Sequence, residues 1–388
     1  MFRFKEYRFK YYDFRLILFI TALSILGVMV IGSAGADNDD KKQFICFLVG
    51  LVIMVFLSIV DYHFILKFSW LMYIFNIGLL LLLKFIGEKG GGAQRWIRFG
   101  SIGIQPSELA KIILILFFAK FFQKYQEKLN TIQVIIASIG LFGVPLYLVY
   151  KQPDLSTSVV IILLFCVMIY VAGLSYAIIG SVLAIALPAG SFLLYKILQP
   201  GQQIIGDYQK NRLLGFLYQN SDNPNIDLAM INEINYQQKN SVLAIGSGQL
   251  WGKGLNNNTI ASVKNGNFIS EPQTDFIYSI VGEELGFVGA AAVIILLLLI
   301  SLECLWIAKH AKDLSGKIIC VGMASLIALQ GFVNMGVATW ILPNTGLTLP
   351  FVSYGMSSLM SLMIGMGIVL NIGIQREPTF KEVLYTDE

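Results

Sequence analysis

Runs of roughly 20 apolar residues, the length an α-helix needs to cross a bilayer core, recur along this chain and leave few ways to fold it. The first extends from about Leu16 to Ser33, and others start near Phe44, Phe64, Ser107, Thr131, Ser156, Ser175, Thr274, Gly316 and Ser353. Hydrophobic residues fill 56% of the 388 positions and charged residues 13%, an apolar surplus far beyond a soluble core. The expectation is an all-α polytopic membrane protein of about ten transmembrane helices, a single membrane domain over residues 1–388.

Basic residues place its ends. Arg3, Lys5, Arg8, Lys10 and Arg15 precede the first span, Lys120, Lys124 and Lys128 follow the fourth, and Lys309, Lys312 and Lys317 lie around the turn after the eighth. Lys and Arg concentrate in cytoplasmic loops, so both termini are expected there, with Asp37, Asp39 and Asp40 outside. Ala34-Gly35-Ala36 mimics a signal-peptidase site, but the run before it is long for a signal core and another follows at once, which favours an uncleaved span. Cys46, Cys166, Cys304 and Cys320 all fall inside apolar runs, as inert packing rather than a disulfide framework. His63 and His310 sit in short polar connections, and His63 is remote from the motifs below, which argues against a histidine base or zinc site there. Residues 199–273 break the pattern as one large extracytoplasmic loop rich in Asn, Gln, Asp and Gly. Loops of this length are commonly functional or disordered; embedded apolar residues such as Leu213, Phe216 and Trp251 predict a packed cap that partly re-enters the membrane.

Four polar motifs open inward-going spans: Gln105-Pro106-Ser107-Glu108, Gln152-Pro153-Asp154, Gln273-Thr274-Asp275, and Leu349-Pro350-Phe351-Val352-Ser353-Tyr354-Gly355. Singly, each reads as a helix cap. Together on one outer side, converging helix N-termini offer partial positive charge and unpaired N–H groups to an anionic group such as a phosphate. Arg95, Arg98, Lys111, Lys151, Arg212 and Lys239 add cations in or beside the outer loops, although each alone is equally a solvated loop charge. Glu108 and Lys111 are three apart on one helix face. Charge inside a span costs a few kcal/mol unless paired or wet, so they face protein or a cavity, as a structural ion pair or a substrate contact.

Asp275 stands at the mouth of its apolar run, with Glu283 and Glu284 roughly 12 Å deeper at about 1.5 Å per residue. At about 100° per residue Gly282 returns to the Asp275 face while Glu284 points nearly opposite. One tight cluster of three acids is therefore excluded, and the glutamates are read as partners of neighbouring helices. Gly282 and Gly286 form a Gly-x-x-x-Gly pair that permits close helix approach. Trp96, between Arg95 and Arg98 in the glycine-rich stretch Gly90 to Gly100, reads as an interfacial anchor or as a re-entrant lip on a cavity.

Taken together, these motifs resemble the RodA, FtsW and SpoVE (SEDS) family of bacterial membrane enzymes of elongation, division and sporulation. The resemblance covers nearly the whole chain: Gln94-Arg95-Trp96-Ile97, Gln105-Pro106-Ser107-Glu108-Leu109-Ala110-Lys111, Gln152-Pro153-Asp154-Leu155, Arg212-Leu213, Phe216-Leu217, Ala244-Ile245-Gly246-Ser247-Gly248 with Gly252-Lys253-Gly254, Thr274-Asp275-Phe276, Glu283-Glu284-Leu285-Gly286, and Leu349 to Gly355. It implies a peptidoglycan glycosyltransferase in the bacterial cytoplasmic membrane that polymerises lipid II on the outer face. The implied partners are a class B penicillin-binding protein and other elongation or division complex proteins; nothing implies nucleic acid. The family's candidate catalytic aspartate maps to Asp275 and its functional tryptophan to Trp96. Thr274, Ser353 and Asp154 join Arg95, Arg98, Glu108, Lys111, Lys151 and Arg212 as candidate substrate contacts. Four positions depart from the family pattern: Gln273 stands for His, and Ser156, Trp340 and Met356 each stand for Gly. Gly346-Leu347-Thr348-Leu349-Pro350 leans towards the division type.

The implied chemistry is attack of one sugar hydroxyl on an anomeric carbon, with a lipid diphosphate leaving and the centre inverting. A carboxylate base or a substrate-borne divalent cation, magnesium or manganese, must activate the hydroxyl. An aspartate with a pKa of about 3.9 is a weak base at neutral pH unless its surroundings change it. Two other readings stay open on sequence: a lipid II flippase or other transporter of lipid-linked substrates, using Glu108, Lys111, Glu283 and Glu284 as its path, and a non-catalytic scaffold for a transpeptidase.

Overall fold

The structure is a computed structural model that describes residues 7–34, 38–90, 93–99, 102–152, 154–199, 206–219, 228–256, 262, 268–269 and 272–376. The expectations placed on Arg3, Lys5, Gly35, Ala36, Asp37, Gly91, Gly92, Gly100 and Pro153 lie outside the described residues.

The apolar runs form helices, and polar residues mark their starts. Asp13 caps α1 (Phe14–Ser33), its carboxylate accepting from the Leu16 N–H at 3.1 Å. After α2 (Asp39–Ile59), the third run is divided at Phe68 into α3 (Tyr62–Lys67) and α4 (Ser69–Ile86). Proline opens α5 (Pro106–Lys124), where its missing N–H costs nothing. Then come α6 (Ile132–Lys151), α7 (Leu155–Val171) and α8 (Tyr176–Leu198). The long polar segment carries α9 (Asp207–Leu217) and α10 (Leu228–Ser247), and α11 (Ile277–Lys309), α12 (Leu314–Ala338) and α13 (Met356–Ile374) follow. Seven of these helices are long and apolar enough to cross a membrane, while Ser69–Leu83 and Leu155–Val171 are apolar but shorter. The chain is an all-α multi-pass membrane protein.

The centre of the bundle is α5, α12 and α13. From Ala110 to Phe122 every residue of α5 except Lys120 is buried, although the helix also carries Glu108 and Lys111. Around this centre α2 packs on α13, α4 on α5, α7 and α11 on α12, and α1 on α11. Small residues set the closest approach: a Cβ at Gly50 would lie 2.9 Å from Met363 Cγ, and one at Gly367 would lie 2.7 Å from the Met54 carbonyl. By contrast, no described residue of α8 is buried. At the α12 N-terminus, His63 bridges two carboxylates, Nδ1 3.0 Å from Asp61 Oδ1 and Nε2 3.0 Å from Asp313 Oδ2. Asp313 also accepts from Tyr62 OH at 2.9 Å and Gln123 Nε2 at 2.8 Å, so α3, α5 and α12 meet there.

Two local features differ from the sequence reading. The glycine-rich lip is an antiparallel sheet of β1 (Glu88–Gly90), β2 (Ala93–Phe99) and β3 (Ile102–Ile104), in that order. A strand alternates its faces, so Trp96 and Arg98 share one side and Arg95 takes the other. Next, Gly286 is not a helical position: at φ 65° and ψ −164° it breaks α11, a backbone conformation open to glycine. The neighbouring glycine-rich segment satisfies the freed groups, with Phe287 N–H donating to Gln249 O at 2.8 Å, Lys253 N–H to Glu283 O at 3.0 Å and Gly254 N–H to Glu284 O at 2.9 Å. Gly282 does admit close approach, since a Cβ there would lie 2.9 Å from Ile245 of α10. The long segment is packed: Gln238 of α10 donates to Val337 O at 2.9 Å and Leu342 O at 2.8 Å, and Ser241 to Ala338 O at 2.6 Å.

Candidate active site

The site is built around the connection between α12 and α13, residues 339–355. Most of this connection is not a surface loop. Leu347, Leu349, Phe351 and Val352 are buried, and a Cβ on Gly27 of α1 would meet Val352 Cα at 2.8 Å. Its backbone polar groups must therefore find protein partners. Gln43 of α2 supplies two, donating to Ser353 O at 3.2 Å and accepting from Gly355 N–H at 3.3 Å.

The starts of α5, α7 and α11 attach to this connection, which itself carries the fourth polar motif, or to the first turn of α13. At the start of α5 the Gln105 N–H donates to Ser357 Oγ at 3.0 Å, and Ser357 donates to Gly103 O at 2.9 Å, joining β3 to α13. At the start of α7, Ser156 donates to Thr345 O at 2.8 Å. Before α11, the Tyr354 N–H donates to Gln273 O at 2.9 Å and Ser353 Oγ to Thr274 O at 2.6 Å. Ser353 Oγ also accepts from Leu349 N–H at 2.7 Å, so its hydroxyl clasps the turn. Burial, with the Asp39 carboxylate close by, pushes the Tyr354 phenol up to about 12, which keeps it a neutral donor.

Asp275 follows directly. It is half-buried, Asn334 Nδ2 donates to its carbonyl at 2.9 Å, and a Cβ on Gly346 would lie 3.2 Å from its Oδ2. Gly346, at φ 71°, is thus the floor beneath the carboxylate. The other acidic candidates are buried. Glu108 Oε1 pairs with Lys111 Nζ at 2.8 Å, both side chains almost wholly enclosed. Asp154 caps α7, accepting from Thr157 N–H at 3.1 Å. Glu283 pairs with Lys253 Nζ at 2.7 Å, and Glu284 accepts from Ser33 Oγ at 2.5 Å at the end of α1. Of these five acids, Asp275 alone is more than 4% exposed.

The cations divide similarly. Arg212 of α9 donates to Asn344 O at 3.2 Å, which carries it onto the connection. Lys151 is exposed at the end of α6, its ammonium 5.6 Å from the Tyr147 ring centroid. Trp96 lies over Gly103, where a Cβ would be 3.1 Å from Trp96 Cε3, with Arg98 on the same side and exposed. Arg95, half-buried, does not flank that face. Among the described residues no three His, Cys, Asp or Glu gather as a metal site. A divalent cation would fit here only where a diphosphate supplied most of its oxygens beside Asp275.

A family model described as "Cell cycle protein", covering FtsW, RodA and SpoVE, matches residues 12–377. The chain belongs to the FtsW/RodA/SpoVE family. It is 33% identical over 382 residues to "Probable peptidoglycan glycosyltransferase FtsW" of Geobacter metallireducens, covering 94% of this chain and 95% of that relative. It is 32% identical over 370 residues to "Peptidoglycan glycosyltransferase MrdB" of Escherichia coli K12, covering 95% of each. Among solved structures it resembles a chain of "Structural coordination of polymerization and crosslinking by a peptidoglycan synthase complex", with TM-score 0.76 and 26% identity over 93% of this chain and 97% of that one. It also resembles Rod shape determining protein RodA of Thermus thermophilus, with TM-score 0.67 and 25% identity over 95% and 98% of the two chains.

Two of the positions read above as departures from the family pattern bear on the site of this FtsW/RodA/SpoVE chain. Ser156 supplies the bond to Thr345. Trp340 holds a left-handed backbone at φ 61°, with its indole N–H buried and without a hydrogen-bond partner among the described residues. Sequence reasoning missed Gln43, Lys253, Asn334 and Gly346. Gln43 and Asn334 carried a signal, a carboxamide inside an apolar run.

Proposed function

We propose that the chain is an inverting peptidoglycan glycosyltransferase that polymerises lipid II at the outer face of the bacterial cytoplasmic membrane, with Asp275 as its base. The observation that carries this is the sorting of the acids. Glu108, Asp154, Glu283 and Glu284 are buried against structural partners, while Asp275 reaches the surface at the junction of the helix starts. The names of the relatives support the same activity.

In this reading the 4-hydroxyl of the GlcNAc of one lipid-linked disaccharide attacks the MurNAc anomeric carbon of the growing chain. The hydroxyl proton passes to an Asp275 carboxylate oxygen as the new C–O bond forms. The bond from the anomeric carbon to the diphosphate breaks on the opposite face, and the lipid diphosphate carries away the electron pair. Arg98 on the Trp96 face of the sheet, with Arg212 and the helix starts, supplies positive potential for that leaving group. A magnesium or manganese ion on the diphosphate would add charge neutralisation. Glu108 and Lys111 stay an ion pair beneath the site. The Asp275 end of the bundle, with α9, α10 and the sheet, faces outside, and both termini are cytoplasmic, which follows from the placement of Lys and Arg.

The partner is a class B penicillin-binding protein, supported by the likeness to a chain of a synthase complex in which polymerization and crosslinking are coordinated. The experiment is reconstitution of the wild-type protein, with a class B penicillin-binding protein, in vesicles holding labelled lipid II. Glycan polymer is expected. Translocation of the label without polymer would replace this reading with a flippase.

A further inference from the structure

We infer that Asn334 is a positioning residue for Asp275. The inference rests on Asp275 being the base. Asn334 lies on α12 at 1% exposure, four residues before its end, and its Nδ2 donates to two carbonyls: Asp275 O at 2.9 Å and Leu347 O at 2.6 Å. The chemistry fixes the amide's orientation, because the reversed rotamer would turn its oxygen onto two carbonyl oxygens.

The two bonds hold the two segments that define the carboxylate's place. One carries Asp275; the other includes Gly346, whose missing Cβ leaves room for Asp275 Oδ2. The preceding residues of the same turn have separate anchors, Gln273 O to Tyr354 N–H and Thr274 O to Ser353 Oγ. Losing the Asn334 donors therefore removes the tie that α12 makes between the Asp275 segment and its floor, while the turn stays attached to the connection. A base must sit within hydrogen-bond reach of its proton, and a shift of about 1 Å costs about 100-fold in rate. Asn334 thus acts through Asp275 and touches no substrate.

The test is steady-state and single-turnover polymerisation of labelled lipid II in proteoliposomes, per monodisperse folded protein. It compares Asn334→Ala, Asn334→Asp, Asn334→Ser, Asp275→Asn and the double variant Asp275→Asn/Asn334→Ala. Asn334→Asp keeps the volume but presents a carboxylate, which cannot donate to two carbonyls. Asn334→Ser keeps one donor and stands in should the other two fail to fold. The expected result is a kcat lowered about 100-fold in the Ala and Asp variants and less in Ser, with KM little changed. The double variant should be no slower than Asp275→Asn alone, because Asn334 has nothing left to position.

Wild-type kcat in a folded Asn334 variant, a loss confined to KM, or a double variant slower by the full single-variant factor would each overturn the inference. Wild-type polymerisation by Asp275→Asn would instead remove the base reading itself, whatever Asn334 does.

Discussion

The break at Gly286 offers a prediction whose size comes from the structure. Replacing Gly286 with alanine forces a side chain onto φ 65° and ψ −164°, a region reserved for glycine that costs about 1–3 kcal/mol. The added Cβ would also lie 2.6 Å from Leu250 O and within contact distance of the Gly252 nitrogen. Both are backbone atoms, so no side chain can swing away, and overpacking of this kind costs about another 1–3 kcal/mol. The sum, about 2–6 kcal/mol, is a large part of the 5–15 kcal/mol typical of a folded domain. Gly78→Ala is the matched control, because no atom of the described residues outside its own helical turn lies within 4 Å of its added Cβ and it sits on an exposed helical face. There the change should be neutral or stabilising by up to about 1 kcal/mol. Thermal melting in detergent, followed by loss of the monodisperse peak, should put Gly286→Ala roughly 5 °C or more below wild type and Gly78→Ala at or above it. Equal melting of the two variants would refute the reasoning.

Three further outcomes follow from named contacts. Lys111→Met strands the buried Glu108 carboxylate and should destabilise by about 3–5 kcal/mol, whereas Glu108→Leu/Lys111→Met should recover stability and polymerisation together; a stable but inactive double variant would make the pair a substrate contact instead. His63 is held above its ordinary value by its bond to Asp313, then by Asp61, against burial. Its contribution is therefore complete below about pH 6.5 and disappears as pH rises through the raised value. Burial pushes Asp313 up, but the bonds from His63, Gly316 N–H, Tyr62 and Ser315 outweigh it and hold it far below the usual carboxylate range, so its own loss falls at strongly acidic pH. Wild-type melting should drop from pH 6 to pH 9, and His63→Gln should flatten that slope; parallel slopes would contradict the assignment. Trp340→Gly removes a left-handed backbone cost of about 1–2 kcal/mol and a buried N–H without a partner among the described residues, so it should melt close to wild type. A loss of about 3–5 kcal/mol, usual for truncating a buried aromatic, would show that the ring's packing dominates.

The helices were legible because each is encoded by its own stretch of sequence. Apolar length marks a span, Pro106 opens α5, and the spacing of Glu108 and Lys111 along one face anticipates their 2.8 Å pair. The site was legible as residues but not as geometry. Asp275 stood out as an acid at a helix mouth, yet what holds it comes from Asn334, 59 positions away, and from Gly346. Helical periodicity relates neighbours three or four apart and is blind to such contacts. The same blindness hid the pairing of Lys253 with Glu283, 30 positions apart, and the burial of the 349–353 segment, which reads as a helix start on the outer side. Gly286 was misread for a different reason. A helix-packing glycine and a helix-breaking glycine look alike until a second segment, here residues 249–254, is seen taking over the hydrogen bonds.

In the proposed mechanism Asp275 takes the proton from the attacking hydroxyl. The most direct measurement of that step is single-turnover polymerisation of labelled lipid II by Asp275→Asn, a replacement of the same size that cannot accept that proton. The rate is expected to fall about 10²–10⁴-fold, with melting temperature and lipid II binding unchanged. Glycan strands formed at the wild-type rate would contradict it.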